Sequence, residues 1–554
     1  MLFPTVDFAV FFVLVFTGSW LLRPRKAAWR WFILLASCVF YLDPFNVTKS
    51  FVVWPALAAI IAMALLTVGV TRAIAPGDAG PGSNRGSIAV GGVIAVLAAY
   101  VAGNVWLHDA VTEKPDQSWV WLFLLLGIAF VNQTFAKAVY VSMGEGRSRT
   151  AISRRLVQGA VVVNLATLGI FKYYGWFRDS FEFLFSLPFL ELALPIAISF
   201  FTFQAISYVI DVGRGELSPI PLLDFCVYLS FFAHLVAGPI VRVGEFAPQL
   251  DQRVDPRYVR SGEAFVLIAR GMFKKVVISS WVAAELVDPT FGPPGGSVPG
   301  DTSRFETLMG VLGYAIQIYA DFSGYTDIAI GLALLLGIRF PQNFDQPYRS
   351  LSIQDFWRRW HMTLSRWLRD YLYIPLGGNR RGVERTYVNL WLTMVLGGIW
   401  HGANWTFVIW GAIHGTALAV ERFTKLRWAQ RPKPVGLPPG LVSILQWTLT
   451  FAIVCGAWVF FRASSAGDAF AVFGLMFTSD APTPADAMAT LWLGLAIVVA
   501  SVAVQFLPEQ VGRRAGDTFS RLAPALQIVA LAVGLVVIDA LGPEGIAPFI
   551  YFQF

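Results

Sequence analysis

Apolar runs of about 20 residues recur from one end of this chain to the other, and each is long enough to cross the hydrocarbon core of a bilayer as a helix. Backbone in hydrocarbon must satisfy its own hydrogen bonds, so such a chain has two options, helices or a closed barrel. The alternating pattern of barrel strands is absent. The fold class expected is therefore all-α, a polytopic integral membrane protein. Composition agrees: 56% of the 554 residues are hydrophobic and only 14% are charged, against roughly 25% charged in soluble domains. Candidate spans fall at 7–22, 29–46, 51–74, 88–107, 119–141, 156–175, 190–210 and 222–241. They continue at 263–285, 306–337, 387–401, 403–420, 441–461, 487–507 and 522–541. Several are interrupted by Pro or Gly, so the pattern predicts about 13 to 15 membrane segments.

Charge between the runs sets the orientation. Arg23, Arg25, Lys26 and Arg30 follow the first run, and Arg147, Arg149, Arg154 and Arg155 precede the sixth. Lys425, Arg427, Arg431 and Lys433 lie before the 441 run, with Arg513, Arg514 and Arg521 before the last. Basic loops face the cytoplasm. The acidic loops near 108–118, 179–191 and 463–486 then fall outside, as do both termini. Between 211 and 262 charges of both signs mix, and Gly238-Pro239 interrupts the run, which suggests a broken or re-entrant helix. The net charge of +7 is the ordinary excess of cytoplasmic loops. No basic tail or recognition motif points to nucleic acid. Cys38, Cys226 and Cys455 sit in apolar surroundings without metal-type spacing and read as buried thiols. The opening MLFPTVD lacks the basic region of a cleavable signal, so the first run is expected to remain as a membrane helix.

The chemistry concentrates between Asp355 and Gly415. The basic loop 339–385 carries nine arginines. Within it Phe356, Trp360, Thr363, Trp367 and Tyr371 fall on one helical face, the pattern of a helix lying in the interface with its aromatic side down. Its arginines suit anionic lipid head groups or the mouth of a site for an anionic cytosolic donor. Of five histidines, His108 lies in an acidic loop, and His234 and His414 sit in apolar runs where a hydrogen-bonded structural role is the default. His361 lies in the aromatic segment. His401 lies about 14 residues into a run starting near Tyr387, roughly 21 Å of helix rise. Gly397, Gly398 and Gly402 flank it and allow close approach of a ligand or another helix. Asn404 follows at i+3, within reach if helical geometry persists. An ionisable group at such depth is costly and usually functional, but periodicity alone leaves a structural His401 equally open. No GxSxG, HExxH or paired carboxylates accompany it.

The segments QDFWRRWHMTLSRWLRDYLYIPLGGNRRG and LGGIWHGANWTFVIWGAIHG resemble the membrane-bound O-acyltransferase family, within it the branch of bacterial alginate O-acetyltransferase membrane subunits. LPIAISFFTFQAISYVIDVGRGE, HLVAGPIVR, GMFKKVVI, YAIQIYADFSGYTDIAIGLALLLGIRFPQNF and the final IYFQF agree in order. The likeness covers roughly 156–554. Residues 1–155 read as N-terminal membrane helices, including an extra two-helix insertion at about 47–118, and 156–554 as the catalytic core. Two departures stand out: that insertion, and Ala233 where a proline is expected before His234.

The resemblance implies a helical bundle with an intramembrane tunnel. It implies His401 as general base toward an acceptor hydroxyl, and His361 on the cytoplasmic side positioning or polarising the acyl donor. Asn404, Trp360 and Trp400 are implied as supporting residues. The implied donor is acetyl-CoA, with no permanently bound cofactor and no metal. The implied setting is the bacterial cytoplasmic (inner) membrane, with a periplasmic SGNH-type partner that modifies an exported polysaccharide. Peptidoglycan, cellulose and teichoic acid D-alanylation remain open as other acceptors. So do a proton-coupled transporter using the two histidines as a relay, against which no inverted repeat is found, and a non-catalytic scaffold.

The orientation is testable. Single cysteines placed in 339–385 and in 421–434, in a background lacking the native three, are expected to resist an impermeant thiol reagent outside intact spheroplasts. Efficient labelling at both sites reverses the topology.

Overall fold

The computed structural model describes Phe3, 6–42, 118–144, 148–184, 188–189, 192, 194–235, 238–255, 259–428, 438–542 and Ile550. Residues 47–117 of the expected insertion, His108 among them, lie outside the described residues. Every regular element among those described is helical. The chain divides into two units: Met1–Val236 with Ile240–Val259 and Leu336–Arg339, and Ala237–Pro239 with Arg260–Leu335 and Phe340–Phe554.

The first unit contains α1 (Val6–Leu22), α2 (Lys26–Leu42), α3 (Ser118–Met143), α4 (Ala151–Leu168, prolonged through a π turn to Phe181), α5 (Ile198–Arg214), α6 (Leu222–Ser230) and α7 (Val243–Asp251). Its apolar helices are tied by buried polar pairs, because lone polar groups in apolar surroundings are costly. Trp29 Nε1 donates to Ser19 Oγ at 2.8 Å, and Asn132 and Asn164 exchange amide hydrogen bonds at 3.1 and 2.7 Å. Tyr208 donates to Gln133 at 2.6 Å. The 222–241 run is broken, as its Gly-Pro suggested: α6 stops at Ser230, a single turn spans Phe232–Leu235, and helix resumes only at Val243. His234 sits there among the rings of Tyr228, Phe231 and Phe246.

The second unit contains α8 (Ser261–Met272, continuing through π turns to Phe291), α9 (Arg304–Leu335), α10 (Ile353–Arg359), α11 (Met362–Leu368), α12 (Val383–His401) and α13 (Trp405–Trp428). It ends with α14 (Pro439–Arg462), α15 (Ala466–Thr478), α16 (Ala487–Ala503), α17 (Glu509–Arg521) and α18 (Pro524–Leu541). Two glycine crossings organise it. A Cβ on Gly271 would stand 2.5 Å from the carbonyl oxygen of Gly324, and one on Gly324 2.7 Å from that of Gly271, so α8 and α9 meet backbone to backbone. That crossing sets Lys275 against Asp321 in a buried ion pair, with Asp321 also accepting from the Ile550 amide at 2.9 Å. One to two turns away, Arg270 and Lys274 both reach Asp327 at 2.7 Å.

Among the described residues, four helices are long and apolar enough to cross a membrane: Trp121–Met143, Ala151–Phe181, Pro439–Arg462 and Ala487–Phe506. Other runs within the described residues form helices that are shorter or carry more polar residues, such as α9 with Gln317, Asp321 and Asp327 buried along it. The outer loop expected at 463–486 holds α15.

The second crossing joins α12 and α13. A Cβ on Gly398 would lie 2.2 Å from the carbonyl oxygen of Phe407, and one on Gly411 2.5 Å from that of Met394. Gly411 and Gly415 form a small-xxx-small face that seats α13 on α12. Gly398→Ala must push these backbones apart, an overpacking that costs at least about 1–3 kcal/mol. The expected result is a severalfold fall in detergent-extractable, monodisperse protein, whereas Gly127→Ala, with nothing within 4 Å of its added methyl, stays at the wild-type level. Equal yields of the two variants contradict the crossing.

Candidate active site

The expected single amphipathic helix around His361 is not one helix. α10 ends at Arg359, Trp360 is extended, and His361 takes the left-handed conformation (φ 41°, ψ 55°) before α11 begins. Histidine tolerates this region better than most side chains. The kink is bracketed by two clamps: the Met362 amide donates to the Asn343 carbonyl and the Asp345 amide to the Arg359 carbonyl, both at 2.9 Å. Arg359 also pairs with Asp345 at 2.9 Å and Asp355 at 3.0 Å. Nor does the aromatic stripe face lipid. Phe356, Trp360, Thr363, Trp367 and Tyr371 are all buried within the protein, because a period of 3.6 marks an apolar face without saying what covers it. Trp360 stacks on Phe356 at 5.6 Å and meets Phe344 edge-on and Trp458 at a tilt, both at 5.0 Å.

His361 is wholly buried. Phe322 of α9 meets its ring edge-on at 4.7 Å, and Nδ1 lies 3.1 Å from Asn343 Oδ1. Burial holds the imidazole neutral, lowering its pKa from 6.5 to about 3.

His401 is the last residue of α12, where the 387–401 run also ends. The helix begins at Val383, so His401 lies 18 residues further along, about 27 Å of rise. Gly402 is extended (φ −157°), so the helical i+3 relation to Asn404 is lost. Asn404 instead serves the turn. Its Nδ2 donates to the Ser464 carbonyl at 2.9 Å, and its Oδ1 accepts from the Thr406 amide at 3.0 Å. Ser464 Oγ in turn donates to Gly296 at 3.0 Å, and Arg462 reaches Asp288 at 3.0 Å and Gly292 at 2.6 Å. Three loops are thus laced together at the end of the helix that carries His401.

The two histidines share a neighbour. Trp400 lies 6.5 Å from the His361 ring and 5.0 Å from that of His401. On its other sides His401 meets Trp410 at 5.1 Å and Phe461 at 5.2 Å, both edge-on. Both imidazoles therefore lie in one aromatic cage, with Trp360 and Trp400 in its wall. Histidine is the side chain best suited to take up and return a proton near neutral pH.

Sequence reading missed two members. His414 joins the cage: its ring is 4.9 Å from Trp410, and Nδ1 accepts from the indole N–H of Trp357 at 3.3 Å. Its position one residue before Gly415, which packs against α12, was the available signal. Asn343 was visible only as part of the quoted FPQNF stretch. Among the described residues, no group of three His, Cys, Asp or Glu side chains converges as a metal site.

The model of the membrane-bound O-acyltransferase family matches residues 120–455. A probable alginate O-acetylase, AlgI, of Azotobacter vinelandii is 36% identical over 481 residues, covering 78% of this chain and 92% of its own length. Its counterpart of the same name in Pseudomonas putida is 38% identical, covering 83% and 94%. A peptidoglycan O-acetyltransferase of Helicobacter pylori is 41% identical over 343 residues, covering 56% of this chain and 62% of its own.

Proposed function

The chain belongs to the membrane-bound O-acyltransferase family, and on that premise we propose that it moves acetyl groups from a cytosolic thioester across the bacterial inner membrane for O-acetylation of an exported, alginate-like polysaccharide. The observation that carries the reading is the single cage holding His361 and His401 on either side of Trp400. In the reaction, an acceptor hydroxyl oxygen attacks the thioester carbonyl while His401 takes its proton. The C–O bond forms, the tetrahedral intermediate collapses, the C–S bond breaks, and the thiolate leaves and is protonated. His361 positions the donor from the cytoplasmic side, for which acetyl-CoA is the natural candidate. The cage dehydrates the site, which strengthens every polar contact in it. A tunnel reaching the cage from both faces lets the acetyl group cross without CoA, and a periplasmic SGNH-type partner then passes it to the sugar. Trp360 and Trp400 support this cage, and Asn404 holds the turn after His401. Residues 1–155 serve as N-terminal membrane helices and 156–554 as the catalytic core.

A second acceptor is favoured by one specific observation: the Helicobacter pylori relative named a peptidoglycan O-acetyltransferase is as similar over the matched region as the alginate O-acetylases are. Acetyl ester content of secreted polymer and of purified peptidoglycan, measured in a deletion strain, separates the two.

His401→Gln keeps size and much hydrogen bonding but cannot cycle a proton. Protein at normal membrane abundance is expected to acetylate about 10²–10⁴-fold more slowly, as for the loss of an acid–base group. Near-normal ester content with this variant removes His401 from the chemistry and returns it to a structural role.

A further inference from the structure

Three hydrogen bonds converge on the side-chain oxygen of Asn343. It accepts from the Thr363 backbone amide at 3.2 Å, from the Thr363 hydroxyl at 2.8 Å, and faces His361 Nδ1 at 3.1 Å. The oxygen and nitrogen of a carboxamide are told apart by their partners. A backbone N–H can only donate, so the atom facing Thr363 is the oxygen. The same oxygen faces Nδ1, so Nδ1 is the ring nitrogen that carries the proton. A neutral imidazole has one proton, and its other nitrogen, Nε2, therefore presents a lone pair. Nε2 has no partner among the described residues, and neither has Asn343 Nδ2, a donor. Both side chains are completely buried, where polar groups are ordinarily bonded. An acceptor and a donor thus flank one fixed hydrogen bond, both unanswered by the described residues.

We propose that Asn343 is a positioning residue. It locks His361 in the Nδ1–H tautomer, so that His361 Nε2 and Asn343 Nδ2 together receive a reactant group that both donates and accepts a hydrogen bond, a hydroxyl or a secondary amide. This rests on the acyl-transfer reading, which supplies both: the acceptor's hydroxyl, and the amide of a pantetheine-type thioester arm. It also narrows the role of His361. With no proton on Nε2, it cannot polarise a donor carbonyl through that atom; it accepts. Its surroundings keep it so. The rings of Phe322, Phe344 and Trp400 enclose it, the nearby Asp345 and Arg359 pair with each other, and beyond Trp400 the titratable neighbour is His401.

The test has a spectroscopic arm that needs no activity. In protein labelled with ¹⁵N at its five histidines and reconstituted in vesicles, the signal lost in His361→Gln should pair a protonated Nδ1 with an unprotonated Nε2. The reverse tautomer overturns the proposal whatever the enzyme does.

The kinetic arm uses Asn343→Asp, which keeps the accepting oxygen but adds a negative charge beside the ring. That charge raises the His361 pKa, and below the raised value Nε2 is protonated and stops accepting. The acid limb of the pH–rate profile, measured with acetyl-CoA, should move to higher pH. An unchanged profile with normal membrane abundance overturns the positioning role. Asn343→Leu should lose about 10²-fold, the scale of a misplaced group. A loss carried in KM for acetyl-CoA identifies the amide as the bound group, and a loss carried in kcat identifies the hydroxyl. A His361→Gln variant that acetylates normally removes His361 from the reaction and overturns the positioning role with it, whereas unchanged acetyl ester content in a deletion strain defeats the acyl-transfer reading and leaves the tautomer measurement intact.

Discussion

Backbone lies on backbone where α12 crosses α13, and the cage depends on that contact. With Gly398 under the Phe407 carbonyl and Gly411 under that of Met394, no side chain separates the two helices. The turn between them can then be only Gly402, Ala403 and Asn404 long, and His401 ends against Trp410 from the returning helix. Any residue larger than glycine at the crossing would open the wall in which Trp400 and Trp410 stand. Dispersion and close packing hold helices together in hydrocarbon, where the hydrophobic effect between them is largely absent.

The same unit carries charge deep inside. Lys275 and Asp321 are both nearly inaccessible, and Asp321 gives its second oxygen to the Ile550 amide. A buried pair of this kind contributes little net stability, but losing one partner costs about 3–5 kcal/mol. Its use is in register: α8 and α9 meet through bare glycines that could slide, and ion pairs one turn away fix which turn meets which. α9 then presents Phe322 to His361 at a defined height.

Much of this was legible in the sequence. Long apolar runs gave most helix positions, and the two histidines stood out because titratable groups are rare in such runs. What stayed hidden has identifiable physical reasons. The break at Trp360–His361 leaves no compositional mark, since the residue with positive φ is neither Gly nor Asn and the clamp that enforces it comes from Asn343, eighteen positions away. The aromatic stripe was assigned to lipid because periodicity reports an apolar face and not its neighbour. The helix ends on His401, as the 387–401 run implied, but it starts four residues earlier, at Val383, and the extended Gly402 breaks the helical relation to Asn404. Asn404, expected to reach His401, is engaged by Ser464 from a distant loop. Pairings such as Lys275 with Asp321, 46 residues apart, are tertiary and have no local signature.

The left-handed backbone at His361 has a consequence for variation among related chains. Two selections act on that position, one on the imidazole and one on the conformation, and they favour different replacements. Asn and Gly adopt the conformation readily yet carry no imidazole, while larger side chains that mimic its volume strain the chain. Position 401, on ordinary helical backbone, bears only the first selection. A lineage that abandoned catalysis but kept the fold should therefore drift at 361 toward Asn or Gly and at 401 toward almost any apolar residue. The contrast between the two columns would distinguish a decayed enzyme from a working one before any assay is run.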